Sequence, residues 1–442
     1  MARWAWLLLI VCLSPTATAL CPLMCQCSSN YTAVCSSLNL TSLSSGAFQF
    51  SSNLLVLRLE RNFLSSLSAN VFSTLTNLKR LDLDENTLKD LPESLFTSLH
   101  ELQILYLNDN SLTTLPGNVF RTLENLVILW LHNNKIESLP SEIFDSQKNL
   151  QTLSLMKNAL RKLDKEWFKH LGSLEFLALS NNQLVSIEED TFSALVSLRN
   201  LSLHHNQIIS IQDHAFSKLP KLEILWLYDN RLSEITDNIF NGATPIKSLS
   251  LHNNQLKKMS SKAFESLTSL EQIYLDGNLL TSLDSKLLQS QNKLRMLELQ
   301  DNKLTSVNIE LLKPLVSLRT FNLSGNPLLC DCTLWDAWLW WSARALNPLA
   351  TCQLPEISIG VSIRQQLQNL VCNSERTGRV QPAVSQTRVQ AESSCGVRNL
   401  TVGCLIILII ISAIMIGSFI YIIGHRKHRV QEMLLPLESN SI

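Results

Sequence analysis

Asparagine recurs at positions 62, 86, 110, 134, 158, 182, 206, 230, 254, 278, 302 and 326, always 24 residues apart. Each copy sits in the frame L-x-x-L-x-L-x-x-N-x-L-x-x-L. The first holds Leu54, Leu57, Leu59, Asn62, Leu64 and Leu67; the fourth holds Leu126, Leu129, Leu131, Asn134, Ile136 and Leu139. A phenylalanine follows ten residues after the asparagine in nine copies, Phe72 to Phe264, before Leu288 and Leu312 take its place. Twelve frames in phase leave little freedom, because one unit cannot bury its apolar strip alone and must stack on its neighbours. The L-x-L core reads as a short strand with leucines inward and the x residues outward. Each unit hides roughly six large apolar side chains, worth about 1.5–3 kcal/mol apiece before entropy is subtracted. The asparagine falls where the chain leaves the strand, and its expected role is to satisfy buried backbone groups that no ladder reaches.

The ends set the context. Met1-Ala2-Arg3, an apolar run from Trp4 to Leu13 and the small-residue site Ala17-Thr18-Ala19 read as a signal peptide, residues 1–19. Val402 to Ile423 is a continuous apolar stretch, and the basic cluster His425-Arg426-Lys427-His428-Arg429 follows it. A transmembrane helix over 400–424 is therefore expected, with a short cytoplasmic tail over 425–442. This predicts a single-pass type I protein of the plasma membrane with its N-terminus outside. The tail has no tyrosine and no room for a catalytic domain. With 37 basic and 37 acidic residues the chain lacks the basic face a nucleic-acid partner requires. A charged fraction of 17% against 45% apolar residues also excludes a disordered chain.

An open stack exposes leucines at both ends, so it needs caps. Cys21, Cys25, Cys27 and Cys35 lie in a segment over 20–50 that precedes the repeats at 51–328. Cys330, Cys332, Cys352 and Cys372 lie in a segment over 329–373 that follows them. In an exported chain such clusters read as disulfide frameworks rather than zinc sites, although spacing does not fix the pairing. Leu334 to Trp341 is expected to be a cap helix laying aromatics over the final leucines. Residues 374–399 read as a stalk carrying Cys395, an odd cysteine that could bridge to a second subunit.

Taken together, the repeat and both cysteine clusters resemble the extracellular leucine-rich-repeat proteins. The likeness is to the group containing platelet glycoprotein V, the carboxypeptidase N regulatory subunit and related single-pass receptors, and it covers nearly all of Cys21 to Cys372. The expected transmembrane span departs from the soluble carboxypeptidase N subunit. The variable lymphocyte receptors of jawless fish share the plan. The resemblance implies an α/β repeat solenoid, a leucine-rich-repeat horseshoe with disulfide caps. It implies the pairings Cys21–Cys27, Cys25–Cys35, Cys330–Cys352 and Cys332–Cys372. It also implies a protein or extracellular-matrix ligand on the concave face, and no enzymatic activity.

Residues 24 apart fall on adjacent strands, so the outward positions form columns. One column runs Arg58, Asp82, Tyr106, Trp130, Ser154, Ala178, Ser202, Trp226, Ser250, Tyr274, Glu298, Asn322. The next runs Glu60, Asp84, Asn108, His132, Met156, Ser180, His204, Tyr228, His252, Asp276, Gln300, Ser324. Outward Tyr and Trp are typical anchors for a protein partner. The candidate contacts are Arg58, Asp82, Asp84, Tyr106, Trp130 and His132 in the N-terminal half, and Trp226 and Tyr228 further on. His132, His204 and His252 are expected to be solvated surface residues, since strands two or three repeats apart hold them roughly 10–15 Å from one another, too far to share an ion.

N-glycan acceptor patterns occur at Asn30, Asn39, Asn200, Asn322 and Asn399. A glycan at Asn200 would shade Trp226 and Tyr228, which favours repeats one to four as the contact surface. The sequence implies no cofactor and no metal. His100-Glu101 lacks the second histidine of a zinc protease motif, and nothing builds a closed pocket. The leading expectation is a cell-surface receptor or adhesion protein; the competing one is an accessory subunit that positions another membrane protein, linked through Cys395.

Overall fold

The computed structural model describes residues 25–28, 31–49, 51–332 and 334–354. The chain divides into two units, Met1–Asn373 and Ser374–Ile442. The signal peptide, Cys21, Asn30, Cys372, the stalk with Cys395 and Asn399, the apolar span and the tail lie outside the described residues. Among the described residues no helix is long and apolar enough to cross a membrane.

Each L-x-L core forms a three-residue strand, from Val56–Arg58 to Thr320–Asn322, and each pairs in parallel with the strand 24 residues on. The N-terminal cap joins the same sheet. Its strand Thr32–Val34 lies parallel to Val56–Arg58, and Gln26–Ser28 closes the end antiparallel, giving fourteen strands in all. The leucines that alternate with the outward columns, such as Leu57, Leu59, Leu81 and Leu83, have no exposed surface.

The asparagines form a relay through the stack. The Asn134 amide donates to Leu107 O in the preceding coil at 2.9 Å and to Leu131 O in its own coil at 3.1 Å. Its Oδ1 accepts from Leu112 N at 3.0 Å. At the first position Asn62 donates to Cys35 O at 2.8 Å and so ties the cap to the repeats. The residue before each asparagine, from Arg61 to Gly325, takes a positive φ. This is the turn that aims the amide inward. Most of these residues carry side chains, so the turn is maintained against a cost of roughly 1–2 kcal/mol per residue.

The return side departs from the α/β expectation. Its segments are successive turns closed by bonds three residues back, such as Val71 N to Ser68 O at 3.1 Å and Leu75 N to Phe72 O at 3.0 Å. Described helix is confined to a 3-10 turn at Lys165–Phe168, one turn at Ile309–Leu312 and the cap helix Trp335–Ser342. The phenylalanine column explains this. Its rings run from Phe48 in the cap through the stack, with centroids 5.9 Å apart at Phe48–Phe72 and 6.3 Å at Phe120–Phe144. Helices pack 8–10 Å apart, which such steps do not allow. The same steps exceed the ~4.8 Å between strands, so the stack bends with its strand face on the inner side.

Buried glutamines patch the return side where polar partners are needed. Gln147 and Gln291 stand in the core column that otherwise holds leucine or, at 243, alanine, and their amides donate to Phe120 O at 2.7 Å and Phe264 O at 2.6 Å. In other coils a hydroxyl does this work, as Thr122 does for Phe96 O at 3.1 Å.

Both caps contain disulfides. Cys25–Cys35 and Cys330–Cys352 are formed as the resemblance implied. Cys27 and Cys332 are also disulfide-bonded, and their implied partners Cys21 and Cys372 fall outside the described residues. In the cap helix Ala337, Trp340 and Trp341 are buried, Trp341 meeting Phe321 at 5.8 Å, while Trp335 and Trp338, 5.0 Å apart, are half-buried against the edge of the core. Pro348 O accepts from Leu323 N at 2.8 Å, which covers the edge of the last strand.

Candidate functional site

The outward columns lie on the strand face as the two-residue alternation requires, and they hold two clusters of rings and charges. In the first, Arg80 Nε donates to both Asp82 oxygens, at 2.9 and 3.1 Å. Arg58 Nε stands 3.7 Å from the same carboxylate. Asp82 is only 3% exposed. Burial pushes its pKa up, and the Arg80 hydrogen bond and charge oppose that. The Arg80 guanidinium also lies 4.9 Å over the Tyr106 ring, and Tyr106 stacks on Trp130 at 4.3 Å. His132 closes the row, 5.4 Å from Trp130, with Nε2 3.8 Å from Asp109. The row Arg58–Asp82–Arg80–Tyr106–Trp130–His132 is thus one packed strip across four coils.

The strip sorts its own members. Tyr106 is 9% exposed and Asp82 less, so these two hold their neighbours in place and offer little surface to a partner. Trp130, His132, Arg58 and Asp84 remain half-exposed. Asp84 has no cation bonded to it; burial first, and then the Asp82 charge, push its pKa up to about 7. Beside it Glu60 accepts from Ser36 Oγ at 2.9 Å through one oxygen, while its other oxygen is buried with no hydrogen-bond partner.

In the second cluster Tyr228 is sandwiched between His204 and His252, with 4.3 Å between centroids on each side and planes tilted by 7° and 11°. Trp226 meets His204 edge-on at 6.2 Å, and Tyr274 meets His252 edge-on at 6.3 Å. Ser202 Oγ lies 2.9 Å from His204 Nδ1. This corrects the expectation of solvated histidines. Tyr228 of the adjacent coil covers His204 and His252, Trp130 of its own coil lies against His132, and burial drives the pKa of His132 and of His204 down to about 4. Burial also lowers His252. All three are neutral near pH 7. Among the described residues no group of three His, Cys, Asp or Glu side chains could hold a metal ion.

The acceptor asparagines sit in three settings. Asn39 is exposed, on a backbone of φ 58. Asn200 is half-buried on its strand between Phe176 and Ile224, and its own coil's Ser202 is in register with Trp226. The Asn322 Oδ1 accepts from Ser324 N at 3.1 Å and from Ser324 Oγ at 3.0 Å.

Two arrangements were not singled out from the sequence although the columns contained them. His204, Tyr228 and His252 are successive members of one column, and reading down it for ring neighbours would have found the stack. Asp276 and Glu298 lie on adjacent coils around Tyr274, and reading the columns for unopposed charge would have found them. How deeply each group is buried had no signal in the spacing.

The leucine rich repeat family model matches residues 33–88, 76–136, 124–184, 177–232, 220–280 and 273–328. Among solved structures, a leucine-rich-repeat protein of Leptospira interrogans is 27% identical at a TM-score of 0.56, over 70% of this chain and 81% of that one. A chain from the octameric complex of latrophilin 3, Unc5D and the leucine-rich repeats of FLRT2 aligns at a TM-score of 0.61 and 23% identity, over 79% of this chain and 99% of that one. The glycosylated Toll–Spatzle complex of Drosophila gives a TM-score of 0.60 and 23% identity, over 74% of this chain and 53% of that one. These last two likenesses are of fold. Curated protein sequences yield no match.

Proposed function

The chain belongs to the leucine-rich repeat family, and from that premise we propose that it is a type I cell-surface receptor or adhesion protein. It binds a protein ligand through the strand face of its N-terminal half. The observation that carries this reading is the Arg58-to-His132 strip. Its rings and charges are already stacked and paired, so little side-chain entropy remains to be lost when a partner seats on Trp130. The apolar stretch at 402–423 and the leader-like N-terminus support the membrane placement. The Toll–Spatzle and latrophilin 3–Unc5D–FLRT2 structures are both protein complexes, which supports a protein as ligand. The cysteine caps support a place beside platelet glycoprotein V and its relatives.

Display of the full-length chain on cells and screening against a library of extracellular proteins identifies the ligand. The Tyr106→Ala/Trp130→Ala pair is then expected to weaken it by about 2 kcal/mol or more. Unchanged affinity in that pair removes the N-terminal strip from the interface.

A further inference from the structure

The strand face of the later coils differs in charge from that of the first. Between Ile224 and Asp301 the outward positions hold Trp226, Tyr228 and Tyr274 together with Asp229, Asp276, Glu298 and Asp301, and they hold no lysine or arginine. The column at the leading edge of these same strands neutralises itself instead. Lys247 meets Glu223 at 2.7 Å, and Arg295 meets Glu271 at 3.0 Å. His205 stands 3.3 Å from Asp229. Nothing comparable opposes Asp276 or Glu298. Tyr274 and Glu298 are in register on adjacent strands, and Asp276 follows Tyr274 by two residues on the same face. A half-buried ring therefore lies between two half-buried carboxylates, extended on one side by the neutral His204–Tyr228–His252 stack.

Resting on the reading of the strand face as a protein-binding surface, we propose that Tyr274, Asp276 and Glu298 form a docking site for an arginine-bearing, basic segment of a partner protein. A guanidinium matches both features. It stacks flat on a ring and forks onto a carboxylate, whereas an ammonium supplies only a point charge. The surface is short of positive charge and rich in ring faces, which is the complement of such a segment. Burial raises the pKa of both carboxylates, and each raises Tyr274 further. A hydrogen bond from Asn322 partly opposes this at Glu298, and among the described residues neither acid is ion-paired with a lysine or arginine. A glycan at Asn200 would stand three coils from Tyr274, whereas one at Asn322, in register with Glu298 on the next strand, would cover part of this site, so the acceptor must be bare for the segment to dock.

The test uses the full-length chain in detergent, stripped of N-glycans, against immobilised peptides alternating glycine with arginine, lysine or glutamate. Binding is read by biolayer interferometry at physiological salt. Arginine is expected to bind more tightly than lysine, with no signal for glutamate. Asp276→Asn/Glu298→Gln is expected to weaken the arginine peptide by about tenfold or more, and Tyr274→Leu to erase the arginine-over-lysine preference. Tyr106→Ala/Trp130→Ala should leave this binding unchanged, which separates the site from the N-terminal strip. Equal binding of arginine and lysine by the parent chain overturns the proposal, as does arginine binding insensitive to the double substitution. Either result leaves the ligand of the first strip untouched.

Discussion

Replacing Asn182 with alanine tests the relay that holds the coils together. Its amide donates to Leu155 O at 2.9 Å and to Leu179 O at 3.1 Å, and its Oδ1 accepts from Leu160 N at 3.0 Å. The two carbonyls each have a second donor, Asn158 for Leu155 at 3.1 Å and Asn206 for Leu179 at 3.0 Å. Only the Leu160 N–H is fully orphaned. One buried unsatisfied donor plus two weakened carbonyls costs about 2–4 kcal/mol. Asn125 is the control: its amide donates to His100 O at 3.0 Å on an exposed surface, and Asn125→Ala is expected to cost less than about 0.5 kcal/mol. Urea unfolding followed by far-UV circular dichroism measures both, and hydrogen exchange reports the Leu160 amide directly. The sharing also predicts coupling. Asn158→Ala/Asn182→Ala strips both donors from Leu155 O, so the pair should exceed the sum of the singles by about 1 kcal/mol. A cost at Asn182 no larger than at Asn125, or strict additivity with Asn158, refutes the relay.

Phe120 stands between Phe96 and Phe144, 6.2 and 6.3 Å away; Phe120→Ala should cost about 3–5 kcal/mol in the same urea assay, and Phe120→Leu much less, because Leu288 and Leu312 fill that place elsewhere. Asp84 titrates at 3.8 when unfolded and at about 7 in the fold. The folded state therefore carries an extra proton between those values, so its stability contribution is present at low pH and lost as pH rises towards 7. Asp84→Asn should flatten that slope in a pH series of unfolding curves. His132 has the opposite sign: its folded pKa of about 4 lies below the unfolded 6.5, so its contribution is full above 6.5 and lost as pH falls towards 4. Its ring protons should show no titration shift between about pH 5.5 and 8 by NMR.

The periodic positions were legible because each asks one local question. Asn134 must turn the chain and Leu129 must face inward, and a 24-residue spacing answers both without knowledge of neighbours, while Cys25 was legible from the cysteine cluster that precedes the repeats. The return side was not legible in the same way. Leu and Phe spacing suits a helix or a run of turns equally, and the choice fell to the distance between coils, which only stacking sets. The Gln147 and Gln291 amides are a smaller case: a polar residue in a leucine column looks like an interruption until Phe120 O and Phe264 O are seen to need a donor.

By itself the sequence determined that the chain stacks, in what register, which side chains face in or out, and where sulfur closes the ends. The first three follow from the alternation of a strand and from the 24-residue period, and the last from the two cysteine clusters that flank it. The tertiary structure alone decided what the outward residues are worth. Tyr106 and Asp82 were placed outward correctly, yet Trp130 and Arg80 cover them; His204 and His252 lost their water to Tyr228; Asp276 and Glu298 were left without a cation. Exposure, pairing and proton affinity depend on side chains one coil away, in a space a few ångströms wide, and a linear spacing does not encode how those side chains lean.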